Sequence, residues 1–141
     1  MKKRLNLLPI VVVAMFCLAP RVPADESSVK GAQAAAEAWL AIVDSGRYSE
    51  SWDEAAAFFK QSVTRLHWEE AVKKVRTPLG KLVSRALRDA QYTASIPNAP
   101  AGEYVVIRYD TNFENAKSAV ETVTPMKDKD GVWRVSGYYI R

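Results

Sequence analysis

His67 is the sole histidine of the chain and the first residue to weigh for chemistry, as a general base or a metal ligand. Glu70 lies three residues on and could share its helix face. A metal site needs more than that pair, and beyond residue 24 there is no second histidine and no cysteine. His67 is therefore read as a surface or helix-start residue. Asp128-Lys129-Asp130-Gly131 opens like a calcium loop, but that pattern needs a bidentate glutamate at its twelfth position, and counting from Asp128 that position is Tyr139. A hairpin turn fits the segment better. Ser136 precedes Gly137 without the pattern of a nucleophile elbow, and the one histidine has no recognisable acid partner for serine hydrolysis. What remain are the aromatic residues Trp39, Trp52, Phe58, Phe59, Trp68, Tyr104, Tyr109 and Trp133. They are either core or the lining of a small apolar pocket, with Trp52, Trp68, Tyr109 and Trp133 the pocket candidates. No catalytic residue, metal ion or cofactor is assigned.

The head of the chain bears on which residues survive to act. Lys2, Lys3 and Arg4 precede an almost uncharged apolar run, Leu5–Ala19, and Val22-Pro23-Ala24 places a small residue before Asp25-Glu26. That is the layout of a secretory signal peptide, with cleavage expected after Ala24. The run is shorter than the roughly 20 apolar residues a membrane-spanning helix needs, so no permanent anchor is expected. A lipoprotein signal wants small residues before its cysteine, and Met15-Phe16 precede Cys17. The expected organisation is a cleavable signal peptide, residues 1–24, then a single domain, residues 25–141, exported and periplasmic.

Cleavage rewrites the composition. The full chain has 20 Lys and Arg against 16 Asp and Glu, but Lys2, Lys3, Arg4 and Arg21 leave with the head, so basic and acidic residues then balance. The basic pI belongs to the targeting segment, and nucleic-acid binding loses its main support. Cys17, the only cysteine, leaves too, and with it disulfide and thiol chemistry. Stability must then come from packing, in a length sufficient for one core.

The elements that position these residues read as helices first and strands after. Ala32, Ala36, Trp39, Leu40 and Val43 recur at helical steps, and Asp44-Ser45-Gly46 stops that helix. Ser51 with Glu54 has capping-box spacing, ahead of a short second helix striped by Trp52, Ala55, Ala56 and Phe59. Thr64 caps a third, with Trp68, Ala71, Val72 and Val75 as its buried face, ended by Thr77-Pro78. After Gly80 the period becomes two. Leu82–Ile96 reads as a long strand with room for a bulge, and Pro97 to Gly102 as a loop. Tyr104–Phe113 alternates, with Val105, Ile107, Tyr109 and Phe113 on one face. Ala119–Met126 and Val132–Ile140 follow, the last two joined by a turn at Asp130-Gly131. The expected fold class is α+β: about three N-terminal helices on one face of a four-stranded antiparallel sheet.

Several stretches carry a family resemblance. Ala34-Ala35-Ala36-Glu37-Ala38-Trp39-Leu40, Tyr48-Ser49-Glu50-Ser51-Trp52, Thr77-Pro78-Leu79-Gly80, Gly102-Glu103-Tyr104-Val105-Val106 and Glu121-Thr122-Val123-Thr124-Pro125 resemble an exported bacterial family, domain of unknown function 4019. The most specific block runs from Gly131 through Trp133 to Ile140. The resemblance implies a cone-like helix-on-sheet fold similar to the nuclear-transport-factor-2-like (cystatin-like) superfamily, and it implies no function. The sharpest enzyme idea that superfamily permits is a ketosteroid-isomerase-like site, with an aspartate base and a tyrosine and protonated acid as donors. Tyr109 and Asp110 are strand neighbours that face opposite ways, which leaves Asp89, facing inward near Tyr92, as the other candidate.

Charge is unevenly spread. Lys73, Lys74, Arg76, Lys81, Arg85 and Arg88 have no acid among them. They are read as cations complementing the dipole at the end of the third helix, in preference to a basic edge for an anionic partner. Arg108, Glu121 and Arg134 are read as cross-strand charges on a wet face. Together these features point to a non-catalytic exported binding or protein-interaction module. Its partner would be a small apolar ligand or a protein, and it would use an apolar pocket or a sheet face, with a homodimer as one form. The alternative is a small pocket enzyme of isomerase or hydrolase type.

Overall fold

The computed structural model describes the chain from residue 24, with side chains from residue 26. The expected signal peptide lies outside the described residues but for the backbone of Ala24. Helix α1 spans Ala24–Asp44, α2 Tyr48–Asp53, α3 Ala57–Ser62 and α4 Arg65–Leu79. Strands β1 (Leu82–Thr93), β2 (Tyr104–Phe113), β3 (Ala116–Lys127) and β4 (Trp133–Ile140) follow, forming one antiparallel sheet in the order β1-β2-β3-β4. The α+β expectation holds, with four helices where about three were expected.

The alanine-rich stripe of α1 explains how the two layers meet. Ala32, Ala36, Trp39, Leu40 and Val43 are all buried, and α1 packs against all four strands. Small side chains let the helix lie close to the sheet while Trp39 and Leu40 fill the space beside it. Opposite them, Val105, Ile107, Tyr109, Val123 and Val135 complete the core. Gly46, at φ +76°, terminates α1 as its residue type predicts.

Four local expectations are corrected. Ser51 does not cap a helix: it lies inside α2 and is fully buried, donating its hydroxyl to the Tyr48 carbonyl at 2.6 Å. The expected second helix is two short ones, because the Ala56 N–H leaves the helical ladder and donates to the Val135 carbonyl at 2.8 Å. Helix α4 runs two residues past Thr77, to Leu79, with Pro78 in its last turn. Its buried face is Trp68, Val72 and Arg76, whereas Ala71 and Val75 are exposed. The Thr64 cap forms as expected, accepting from the His67 N–H at 3.3 Å.

In the sheet, β1 stops at Thr93 and carries register shifts at Leu82/Ser84 and Leu87/Asp89. Strand β3 starts three residues earlier than its apolar run suggested, because Glu114-Asn115 makes a tight turn back from β2. The turn at Gly131 (φ +81°) is the expected hairpin, with the Gly131 N–H donating to the Asp128 carbonyl at 2.8 Å.

Gly80, at φ +76°, joins α4 to β1, and a Cβ added there would stand 2.9 Å from Glu114 Oε2. Gly80→Ala is therefore expected to lower unfolding free energy by about 1–3 kcal/mol. An unchanged urea midpoint would show that the junction relaxes freely.

Candidate functional site

The helix–sheet interior holds a closed network of charge. Glu121 on β3 is 0% exposed. Its Oε1 accepts from Arg85 Nε and Thr111 Oγ1, both at 2.7 Å, and its Oε2 accepts from Tyr138 Oη at 2.5 Å. Arg85 on β1 also donates to Asp44, from Nη1 to Oδ2 at 2.7 Å and from Nη2 to Oδ1 at 3.0 Å. Arg76 of α4, 5% exposed, donates from Nη2 to the same Oδ1 at 2.8 Å. Its guanidinium lies 4.9 Å from the centre of the Phe113 ring. Two cations and two anions thus neutralise one another on elements far apart in sequence. Burial by itself would raise the Asp44 carboxyl, but the Arg85 and Arg76 guanidiniums outweigh it and hold that carboxyl below the usual aspartate value.

This arrangement corrects the charge reading. Arg76 and Arg85 are interior ion-pair partners, and Arg88 pairs with Asp110 at 2.5 Å, so the basic run forms no continuous patch. Glu121 is the most buried acid of the network, not a wet-face charge. Arg108 pairs with Asp89 at 2.7 Å on the face of the sheet away from the helices, which removes Asp89 as an inward base. Arg134 holds both Asp128 and Asp130, at 3.1 and 2.9 Å.

Beside the network sits an aromatic cluster. The Trp68 ring packs 5.0 Å from Phe59 and 5.7 Å from Trp39, and Tyr138 stands 5.3 Å from Trp39. Ser51 positions both indoles: its carbonyl accepts from Trp39 Nε1 at 2.8 Å and its hydroxyl accepts from Trp68 Nε1 at 2.9 Å. These rings fill much of the space between helices and sheet.

The four pocket candidates do not share one concavity. Trp68 forms part of the floor of a groove of about 190 Å³ between α4 and β4, with Ala71, Val72, Val75, Tyr138, Tyr139 and Ile140. Trp133 lines a separate cleft of about 220 Å³ against α1. Trp52 is half-buried, donating Nε1 to the Val63 carbonyl at 2.9 Å beneath the Arg65 guanidinium. Tyr109 is buried and its hydroxyl has no partner among the described residues. His67 is exposed at the start of α4. Among the described residues no three His, Asp or Glu side chains cluster to hold a metal ion. No described helix is long and apolar enough to cross a membrane.

Neither the network nor the groove has a short-range sequence signature. The usable hint was the two-residue alternation that puts Thr111 and Glu121 on the inner face of their strands. Residues 35–138 match the family described as protein of unknown function (DUF4019), and the chain belongs to that family. No curated protein and no solved structure matches it.

Glu121→Leu would leave Arg85 and Thr111 short of an acceptor. It is expected to cost about 3–5 kcal/mol, the usual penalty for breaking a buried pair from one side. Tyr109→Phe should act oppositely, holding or raising the urea midpoint at pH 8 because it removes an unpartnered buried hydroxyl. Burial, reinforced by Glu37, pushes the Tyr109 hydroxyl up to about 12, and burial with Glu121 pushes Tyr138 above the usual tyrosine range. A raised value contributes stability that is complete below the ordinary tyrosine pKa of about 10 and is lost as pH climbs through the folded value. Stability should therefore fall above pH 10, and fall less in Tyr109→Phe. Identical alkaline profiles for the two proteins would refute the assignment.

Proposed function

We propose that this chain is an exported, non-catalytic binding or interaction module that works through the groove between α4 and β4. One contrast carries the reading. The network's buried acids and bases are committed to each other, while the groove presents Val75 and Tyr139, each 48% exposed, over an apolar floor. A general acid or base needs a group free to exchange a proton with substrate. Glu121 already serves Arg85, Thr111 and Tyr138, and Asp44 serves both Arg76 and Arg85.

The outer sheet face is a poorer surface for self-association. Its centre carries the Arg108–Asp89 and Arg88–Asp110 pairs, which would have to be desolvated on docking. An apolar ligand or a partner segment in the groove avoids that cost. The signal peptide, its cleavage after Ala24 and the periplasmic location belong to the same proposal, supported by the head's order of charge, apolar run and small residue. So does kinship with the nuclear-transport-factor-2-like superfamily, supported by helices preceding a sequentially ordered antiparallel sheet.

Native mass spectrometry of the protein taken from its own compartment is the direct check. The expected result is a chain beginning at Asp25 that carries a releasable small molecule or a partner. A clean, empty monomer at every concentration would defeat the binding reading, and an intact N-terminus would defeat the cleavage.

A further inference from the structure

The C-terminal ends of α1 and α4, the start of β1 and the turn from β2 to β3 border a polar pocket of about 320 Å³. It shares no lining residue with the groove between α4 and β4. Its floor is the Arg76–Asp44 pair, joined at 2.8 Å, with side chains 5% and 17% exposed. Four charged side chains line the pocket, Asp44 and Glu114 against Arg76 and Lys81, so their charges cancel.

Above that floor the polar groups are unpartnered. Lys81 and Glu114 are cross-strand neighbours, the Glu114 N–H donating to the Lys81 carbonyl at 2.9 Å. Opposite charges so placed attract each other, yet among the described residues neither side chain has an ionic or hydrogen-bond partner. The Glu114 carboxylate lies instead against Gly80, where a Cβ would stand 2.9 Å from its Oε2. The Tyr48 and Thr77 hydroxyls, also in the lining, have no partner among the described residues either. In the floor, Arg76 keeps Nε without an acceptor. Arg47, beside the pocket, is by contrast held by Glu50 and the Ser45 hydroxyl.

We propose that this pocket binds a small zwitterion, an α-amino acid with a short side chain, its ammonium on Glu114 and its carboxylate on Lys81. The inference goes beyond the groove and stands without it. Each charge of the ligand meets an opposite one, and the Tyr48 and Thr77 hydroxyls serve its remaining polar atoms. A simple anion satisfies Lys81 but is repelled by Glu114, and a simple cation fails in the opposite sense. A neutral polyol covers both charged groups without a counter-charge for either, which costs desolvation. The volume lies at the lower end of the roughly 300–1,000 Å³ of ligand pockets. Tyr48 is the one aromatic among the described lining residues, so the ligand's side chain is small.

L-alanine is the probe, titrated into the full mature chain and followed by backbone amide NMR. N-acetyl-L-alanine, which lacks the ammonium, and L-alaninamide, which lacks the carboxylate, are its controls. The expected result is saturable shifts at the Gly80, Lys81 and Glu114 amides with L-alanine, and at least tenfold weaker binding of both controls. Lys81→Met and Glu114→Gln alter exposed side chains, so each should keep the thermal midpoint while weakening L-alanine at least tenfold. Each should also erase one preference: Glu114→Gln that over N-acetyl-L-alanine, and Lys81→Met that over L-alaninamide. A merely structural role would not divide the preferences in this way. Binding of either control as tightly as L-alanine overturns the inference. So does the absence of shifts at millimolar L-alanine, the result expected if Lys81 and Glu114 close on each other in solution.

Discussion

The buried Glu121 carboxylate is the constraint that the rest of the molecule satisfies. An ionised acid removed from water costs several kcal/mol unless donors surround it, and Arg85, Thr111 and Tyr138 supply them. Arg85 is then itself a buried cation and needs Asp44, which draws in Arg76. The chain of obligations takes one side chain from each strand and one from each of the two long helices. It therefore fixes register as well as charge. A one-residue slip of β3 would turn Glu121 to the outer face and leave Arg85 half-paired, so the network disfavours the slipped alternatives more than it adds to net stability.

Tyr138 couples this polar network to the apolar core. Its hydroxyl serves Glu121 while its ring packs on Trp39 and Trp68. Ser51 does the corresponding work on the helical side, ordering α2 against α1 and α4 through two indole N–H groups. A helix of six residues has little stability of its own. Tertiary hydrogen bonds of this kind explain why such a short segment is ordered. The same packing fills much of the space between helices and sheet, and an apolar groove lies at the α4–β4 boundary.

That boundary exists because β4 is an edge strand while α4 leans on the core through Trp68, Val72 and Arg76 alone. Anchored through those residues, α4 leaves Ala71 and Val75 lining the groove with Tyr138, Tyr139 and Ile140. Among the described residues the two sheet edges differ: β1 carries register shifts and charged side chains, and β4 accepts the Ala56 N–H at Val135.

Strand-by-strand periodicity determined much of this protein from sequence alone. The inner face of β2, the stripe of α1, the Gly46 and Thr64 helix signals and the Gly131 turn follow from local chemistry that acts within a few residues. The helix break near Ala56 did not, because the Ala56 N–H is drawn to Val135, nearly eighty residues away. The sharpest divergence is in charge. In sequence, Arg76 and Arg85 look like members of a solvated basic run and Glu121 like a wet-face acid. Only the folded chain brings all three together with Asp44, because ion pairing in a low-dielectric interior depends on distance in space and leaves no periodic trace along the chain. The groove is decided at that same level, because its lining comes from α4 and β4, which are distant in sequence and meet only in the folded chain.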